Sequence, residues 1–159
     1  MMAVAGLLSA ASLNGFCKDY YFKHYDRSNG LSHQTVYCSL QDSRGFMWFG
    51  TKSGLSRFDG HNFKNYTFGG SRKDAFASNV VNCIAETPDG TIWVGTLDGL
   101  IAYDPVKDIF SAFEYEGAPL GVCIDNMAVD KQGNLWATTG HGLFVIDPET
   151  DVAIHHKTN

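Results

Sequence analysis

Three tryptophans, each at the centre of the same short motif, limit what this chain can fold into. Trp48, Trp93 and Trp136 lie 45 and 43 residues apart, in the segments GFMWFGTKSGLSRFD, GTIWVGTLDGLIAYD and GNLWATTGHGLFVID. In each segment a glycine precedes the tryptophan by three positions, a threonine follows it by three, and a second glycine follows it by six. A repeat of this period indicates an array of similar supersecondary units that stack on one another.

The middle copy shows what one unit is predicted to contain. In residues 79–86, Val81, Cys83 and Ala85 recur at a period of two and share one face, which is the pattern of a β-strand. A Pro-Asp-Gly turn follows, and residues 91–96, 100–104 and 109–115 continue as three further strands. Four short antiparallel strands in about 44 residues, without a helical period, are typical of one blade of a β-propeller.

The tryptophans and the second glycines are predicted to be the structural anchors of the repeat. One indole buries a large apolar area, so we expect it to pack between adjacent blades. The alternative is a row of aromatic platforms on which a sugar stacks. The anchors are Trp48, Trp93, Trp136, Gly54, Gly99 and Gly142.

The chain is predicted to be all-β, as a partial β-propeller of three four-stranded antiparallel blades plus an orphan N-terminal outer strand. The blades are expected at residues 31–68, 75–117 and 119–157. The segment YFKHY at 21–25 resembles the outer strand of blade 1, so 18–30 is assigned to the outer strand of a closing blade and a linker. Because rings usually need at least four blades, we expect an N-terminal fragment whose partners are the remaining blades of the same propeller.

Residues 1–17 are predicted to be a signal peptide or leader. They begin with MMAVAGLLSAASL, whose apolar run of about 11 residues is too short to cross a bilayer and suits the core of a signal peptide. No Lys or Arg precedes the run, so a leader without an export function is the alternative.

Composition and motif searches exclude several classes of function. Hydrophobic residues make up 44% of the chain and charged residues 18%, which is typical of a folded domain. The formal net charge of −5 gives no basic surface, so nucleic-acid binding is not expected. The cysteines form no CxxC pair and are predicted to be small buried thiols.

No catalytic constellation is found in the sequence. The GxSxG, HExxH, P-loop and GxGxxG motifs are absent. The adjacent His155 and His156 would point to opposite faces of a strand and are not expected to chelate a metal together. The segments 42–45 and 130–133 lack the alternating carboxylates of calcium loops and are predicted to be hairpin turns. We therefore expect this chain to have no enzyme activity, no cofactor and no metal.

Written out in full, the repeat is a strand containing asparagine and valine, then D-x-x-G-x-[ILM]-W-[FV]-G-T, then x-x-G-L-x-x-[FY]-D, then F-x-x-[YF]. With this layout the chain resembles the two-component regulator propeller repeat over residues 20–157. The segments 29–32 and 42–59 are close to the consensus of that family. The middle copy departs from it with Thr87 in place of aspartate, and the third copy with Ala137-Thr138 after the tryptophan.

This resemblance implies a role in sensing. Proteins with the repeat are typically the periplasmic sensor part of hybrid two-component histidine kinases of Bacteroidetes-like bacteria, anchored in the inner membrane. Their usual stimulus is a polysaccharide breakdown product, so the resemblance implies an oligosaccharide ligand. A homodimer of the full-length protein is a further expected partner. The kinase motifs of such proteins do not occur in this sequence, so only the sensing part of the implication applies to it.

Ligand or partner recognition is predicted at the loops of one ring face, since function on a rigid scaffold tends to lie on loops. These are the loops that enter the first strand and the turns that link the second strand to the third. A secreted binding or scaffold propeller without signalling stays open as an alternative, as does a propeller lyase, which requires a His/Glu pair near the axis. The candidate residues are His33, Gln34, Lys52, Ser78, Asn79, Asp98 and His141.

Overall fold

The computed structural model describes residues 21–68, 78–148, 150 and 152–157, and it consists almost entirely of antiparallel sheets. A single 3-10 turn, Arg27–Asn29, precedes the first strand of this part. The strands are β1 (Val36–Gln41), β2 (Met47–Thr51), β3 (Gly54–Phe58), β4 (Phe63–Tyr66), β5 (Val81–Glu86), β6 (Ile92–Thr96), β7 (Gly99–Asp104), β8 (Ile109–Ala112), β9 (Glu114–Tyr115), β10 (Ala118–Pro119), β11 (Ile124–Val129), β12 (Leu135–Thr139), β13 (Gly142–Asp147) and β14 (Val152–Lys157). The predicted leader at 1–17 and the predicted start of blade 2 at 75–77 lie outside the described residues.

Three four-stranded sheets form, and in each the strands pair in the order of the chain. The sheets are β1–β4 (blade 1), β5–β8 (blade 2) and β11–β14 (blade 3). The short hairpin β9–β10 lies between blades 2 and 3 in the sequence. The predicted all-β partial propeller of four-stranded antiparallel blades is confirmed.

The first strand of each blade carries the same irregularity. The pairing register shifts between Val36 and Cys38 in blade 1 and between Val81 and Cys83 in blade 2. Blade 3 has the shift between Ile124 and the residue two positions later. A bulge of this kind bends the strand and strengthens its twist, so the repeat reproduces backbone shape as well as residue type.

The blades stack face to face, and the tryptophans lie between them. We call the tryptophan-bearing face of each blade its front face and the opposite face its back face. Trp48 on the front face of blade 1 is fully buried and packs edge-on against Tyr103 on the back face of blade 2, with ring centroids 5.4 Å apart. Trp93 on blade 2 is buried in a cluster that includes Leu135 and Phe144 of blade 3. The predicted role of these two indoles as anchors between blades therefore agrees with their packing.

The structure assigns no strand to residues 21–25, where the sequence predicts an orphan outer strand. A strand is defined by hydrogen bonds to a neighbouring strand, and within the described ranges no strand pairs with this segment. Tyr25 instead packs edge-on against Phe58 and Phe63 on the back face of blade 1, at centroid distances of 5.0 and 5.7 Å.

Two glycines on the front faces allow the next blade to approach closely. A Cβ placed on Gly50 would lie 2.6 Å from Cγ1 of Val81 in blade 2. A Cβ on Gly95 would lie 2.8 Å from Cγ2 of Ile124 in blade 3. Both distances are shorter than any ordinary carbon–carbon contact, so the absence of a side chain at these positions sets the spacing of the blades.

Gly95→Ala is therefore expected to lower the free energy of unfolding by about 1–3 kcal/mol, because the added methyl group would overlap with Ile124 of the next blade and with Sγ of Cys83 in its own sheet. Gly140→Ala is the matched control. No heavy atom lies within 4 Å of the Cβ position at Gly140, and its backbone is not in the left-handed region. Urea denaturation followed by tryptophan fluorescence measures both variants. Equal stability of the two variants would contradict this account of the blade spacing.

Candidate functional site

The seven candidate residues all lie at one edge of the three sheets, which we call the loop edge. Val36 pairs with Thr51, so the start of the first strand and the end of the second strand of blade 1 share this edge. In blade 2 Val81 pairs with Thr96, and in blade 3 Ile124 pairs with Thr139. The start of the first strand and the end of the second strand therefore share this edge in those blades too.

A repeated threonine holds each turn of the loop edge in one conformation. The Oγ1 atoms of Thr51, Thr96 and Thr139 donate to the carbonyl of the glycine three residues later, at 2.8, 2.9 and 3.0 Å. Each of these hydroxyls also accepts a backbone N–H from the residue two positions on. We call this hydrogen-bonded turn, from the threonine to the glycine, the threonine–glycine clasp. The constant three-residue spacing from threonine to glycine is its signal in the sequence.

The glycine of the clasp is required by both conformation and space. Gly54 and Gly142 have φ values of 109° and 129°, in the left-handed region that favours glycine. A Cβ on either residue would meet a carbonyl oxygen of the adjacent fourth strand, that of Tyr66 or of His156. Because the backbone of the turn is fixed, the two residues between threonine and glycine are free to vary.

Backbone hydrogen bonds tie the turns to the loops that enter the blades. The N–H of Lys52 donates to the carbonyl of Thr35 at 3.1 Å, and that of Leu97 donates to Val80 at 3.3 Å. A third bond, 2.7 Å long, runs from the N–H of Gly54 in blade 1 to the carbonyl of Asn79, which leads into blade 2. The loop edge is therefore continuous from blade 1 to blade 2.

Three of the candidate side chains stabilise the loops themselves. His33 Nδ1 accepts the N–H of Thr35 at 2.9 Å, and Ser78 Oγ accepts the N–H of Val80 at 3.0 Å. The side-chain oxygen of Asn79 accepts the N–H of Phe68 at 2.7 Å. These contacts give all three a structural role that the sequence pattern did not reveal.

The other four candidates present their side chains to solvent. Gln34, Lys52, Asp98 and His141 are exposed on the loop edge. Next to Asp98 lies Leu97, a large apolar side chain that is 48% exposed. The loop edge thus offers an amide, an ammonium, a carboxylate, an imidazole and an apolar tip on a rigid support.

The described residues do not bring together the groups that a metal centre needs. Within 21–68, 78–148, 150 and 152–157, no three of the His, Cys, Asp and Glu residues are arranged to hold a metal ion. Burial raises the pKa of the Cys38 thiol to about 11 and that of Cys83 to about 12. Both thiols are protonated at neutral pH and are therefore poor nucleophiles.

In the part of the chain that the structure describes, no helix has the length and the apolar character needed to cross a bilayer.

At the opposite edge each indole N–H is bound to a turn residue six positions earlier. Trp48 Nε1 donates to Asp42 Oδ2 at 2.8 Å, and Trp136 Nε1 donates to Asp130 Oδ2 at the same distance. Asp42 also accepts two backbone N–H groups of its own turn. The predicted hairpin turns at 42–45 and 130–133 are thus held by carboxylates that orient the tryptophans.

The middle copy makes the same contact with a different residue. Trp93 Nε1 donates to the Thr87 hydroxyl at 3.1 Å, and that hydroxyl donates to Asp89 Oδ1 at 2.6 Å. In the middle copy, Thr87 therefore takes the place of the aspartate that binds the indole in the other two copies. The carboxylate is supplied two residues later by Asp89, and the indole N–H remains hydrogen-bonded.

The burial of the tryptophans decides between their two predicted roles. Trp48 and Trp93 are 0% and 3% exposed, so neither can serve as a stacking platform for a sugar. Trp136 is 38% exposed, because within the described residues no sheet covers the front face of blade 3.

The fold and its loop edge define a segment of a β-propeller. A family model described as the two component regulator propeller matches residues 30–53 and 75–98, which include Trp48 of blade 1 and Trp93 of blade 2. Two segments of the chain therefore match the two-component regulator propeller repeat.

Similar proteins agree with this assignment. Histidine kinase P4 of Formosa agariphila is 42% identical over 57 residues, which are 36% of this chain and 4% of that protein. Two extracellular domains of hybrid two-component systems from B. thetaiotaomicron are each 27% identical over 85% of this chain, with TM-scores of 0.76 and 0.69. The chain spans 20% and 18% of those two domains. It is therefore homologous to part of the extracellular region of such systems.

Replacing Trp136 with Phe is expected to raise the pKa of Asp130 from about 2 toward its ordinary value of 3.8, because the indole N–H is the main group that lowers it. A lowered pKa in the folded chain means that ionised Asp130 stabilises the fold above pH 3.8, and that this contribution is lost as the pH falls toward 2. Carboxyl ¹³C NMR titration measures the shift.

Asp104 serves as the internal control for that titration. Its pKa of about 2 depends mainly on Lys107, whose Nζ lies 2.8 Å from Oδ2, so it is expected to stay unchanged in the variant. A pKa of Asp130 that also remains near 2 would contradict the assigned cause.

Proposed function

We propose that this chain is an extracytoplasmic, ligand-sensing segment of a hybrid two-component sensor kinase, and that the ligand binds at the loop edge. The observation that carries the proposal is the similarity to extracellular domains of hybrid two-component systems, which extends over 85% of the chain. In this proposal the chain supplies binding and no catalysis, and the compartment is the periplasm.

The proposed ligand is a glycan breakdown product. Gln34, Lys52, Asp98 and His141 present hydrogen-bond donors and acceptors that suit the hydroxyl and acidic groups of an oligosaccharide. Because the threonine–glycine clasps fix the turns, the segments that carry Lys52, Asp98 and His141 lose little backbone freedom when a ligand binds.

The link between the blades offers a route by which binding alters the propeller. The N–H of Gly54 and the carbonyl of Asn79 join the turn of blade 1 to the loop that enters blade 2. A ligand that contacts both blades favours one arrangement of this joint. The remaining blades of the ring, and a second subunit of the full-length protein, are the proposed partners that receive the change.

The test is made in the full-length gene that encodes this chain. Gln34, Lys52 and His141 are replaced together with alanine, and the transcriptional response to a panel of oligosaccharides is measured. We expect the response at sub-saturating ligand to fall by at least about tenfold, since the loss of a few central polar contacts usually costs more than 1.4 kcal/mol.

The control variant removes the same three residue types from the opposite edge. Gln132, Lys131 and His61 are exposed in turns at that edge and are also replaced with alanine. This variant is expected to respond like the wild type. Equal responses of both triple variants would overturn the proposed site. Failure of the wild type to respond to any oligosaccharide of the panel would overturn the proposed sensing of glycans and favour a scaffold role.

A further inference from the structure

The front face of blade 3 is an apolar surface that continues the established pattern of blade interfaces. The pairing register aligns Ala128, Trp136, Val145 and Ile154 in one row across its four strands. Trp136 is 38% exposed and Ile154 is 56% exposed. The same face of blades 1 and 2 is buried against the sheet that follows, so this face has the character of an interface as well.

On blades 1 and 2 the front face contains a socket for one side chain of the next blade. Each socket consists of a glycine paired with a cysteine, Gly50 with Cys38 and Gly95 with Cys83. The socket of blade 1 receives Val81, which is fully buried, at the start of the first strand of blade 2.

The socket of blade 2 receives Ile124, the equivalent residue of blade 3, and this side chain is also fully buried. Both sockets therefore take a β-branched residue. The glycine is indispensable to the fit, because a Cβ on Gly50 would lie 3.2 Å from Cβ of Val81, and a Cβ on Gly95 would lie 3.0 Å from Cβ of Ile124.

On blade 3 the socket is closed. The position of the glycine is occupied by Thr138, and the position of the cysteine by its strand partner Asn126. The Thr138 hydroxyl donates to the backbone carbonyl of Asn126 at 3.3 Å, and both residues are exposed. Two polar, larger residues thus replace the pair that accommodates a β-branched side chain elsewhere.

We propose that the front face of blade 3 binds a four-stranded sheet of the same repeat that carries a small residue, Gly, Ala or Ser, at the position equivalent to Val81 and Ile124. The apolar row with Trp136 provides the contact area. The volume of Thr138 selects the partner, because a β-branched residue at that position would overlap with it.

The back face of blade 1 in the same chain does not meet this requirement for a small residue. The back face of blade 1 has Val36 at the equivalent position, where it is 41% exposed. Val36 lies with Phe49 and Phe58 on an apolar groove of about 500 Å³. This groove would suit a tryptophan-bearing face, but Val36 would meet Thr138. A second copy of the chain therefore does not dock head to tail on blade 3.

Sedimentation equilibrium of the whole chain tests the proposal, with a second copy as the probe. Thr138→Gly opens the socket, and Val36→Ala provides the small residue on the other face. Each single variant is expected to associate head to tail with a dissociation constant at least about tenfold lower than that of the wild type, since relief of such an overlap is worth a kcal/mol or more. Val36→Ala leaves the strand that carries Thr138 unchanged, so the two variants report independently.

Two further variants separate shape from polarity and identify the face. Thr138→Val keeps the branched shape without the hydroxyl and is expected to behave like the wild type. Trp136→Ala in the Thr138→Gly background is expected to abolish the gained association. The proposal is overturned if Thr138→Val associates as tightly as Thr138→Gly, if the wild type already associates as tightly as the variants, or if neither single variant associates more tightly.

Discussion

The structure depends on the burial of one indole between two sheets. A four-stranded antiparallel sheet of this size has two faces to cover and cannot bury both by itself, so each blade relies on its neighbours. Trp48 meets this need by packing against Tyr103 of the next blade while its N–H is bound to Asp42. The glycine two residues later, Gly50, lets the following sheet come close enough to make the contact dry. Orientation, burial and spacing at the interface thus depend on Asp42, Trp48 and Gly50, which lie within nine residues of one another, and this explains why the repeat is so regular around the tryptophan.

The two edges of the blades have different roles. At one edge, carboxylates and hydroxyls such as Asp42 and Thr87 are committed to orienting the tryptophans. At the loop edge, a threonine and a glycine hold the turn, and the two residues between them differ in every blade, as Lys52-Ser53, Leu97-Asp98 and Gly140-His141. A fixed backbone with variable side chains is the arrangement that recognition requires, and it is the physical basis for placing ligand binding there.

The sequence alone predicted the sheets because the signals for them are local. Period-two alternation, turn glycines and one tryptophan per unit each act within a few residues, and together they specify a blade. The features that escaped prediction depend on contacts between distant segments. Residues 21–25 have the composition of a strand, but in the described structure no neighbouring strand pairs with them, so no strand forms there. The bonds from Phe68 and Gly54 to Asn79, and the effect of Thr138 on packing, require the neighbouring blade to be in place before they can be recognised. For the same reason the loop edge was identified correctly as one edge, whereas the structural roles of three of its seven candidates were not.

Nuclear Overhauser effects between aromatic protons of Trp48 and Tyr103 test the blade packing most directly. The account predicts strong cross-peaks, comparable to those between Trp48 and Tyr66 of its own blade, because the ring centroids lie 5.4 and 5.9 Å apart. It also predicts contacts from Trp48 to the methyl groups of Val81, which belongs to the same buried cluster. Cross-peaks from Trp48 to Tyr66 alone, with none to Tyr103 or Val81, would show that the blades do not stack through the indole and would contradict the account.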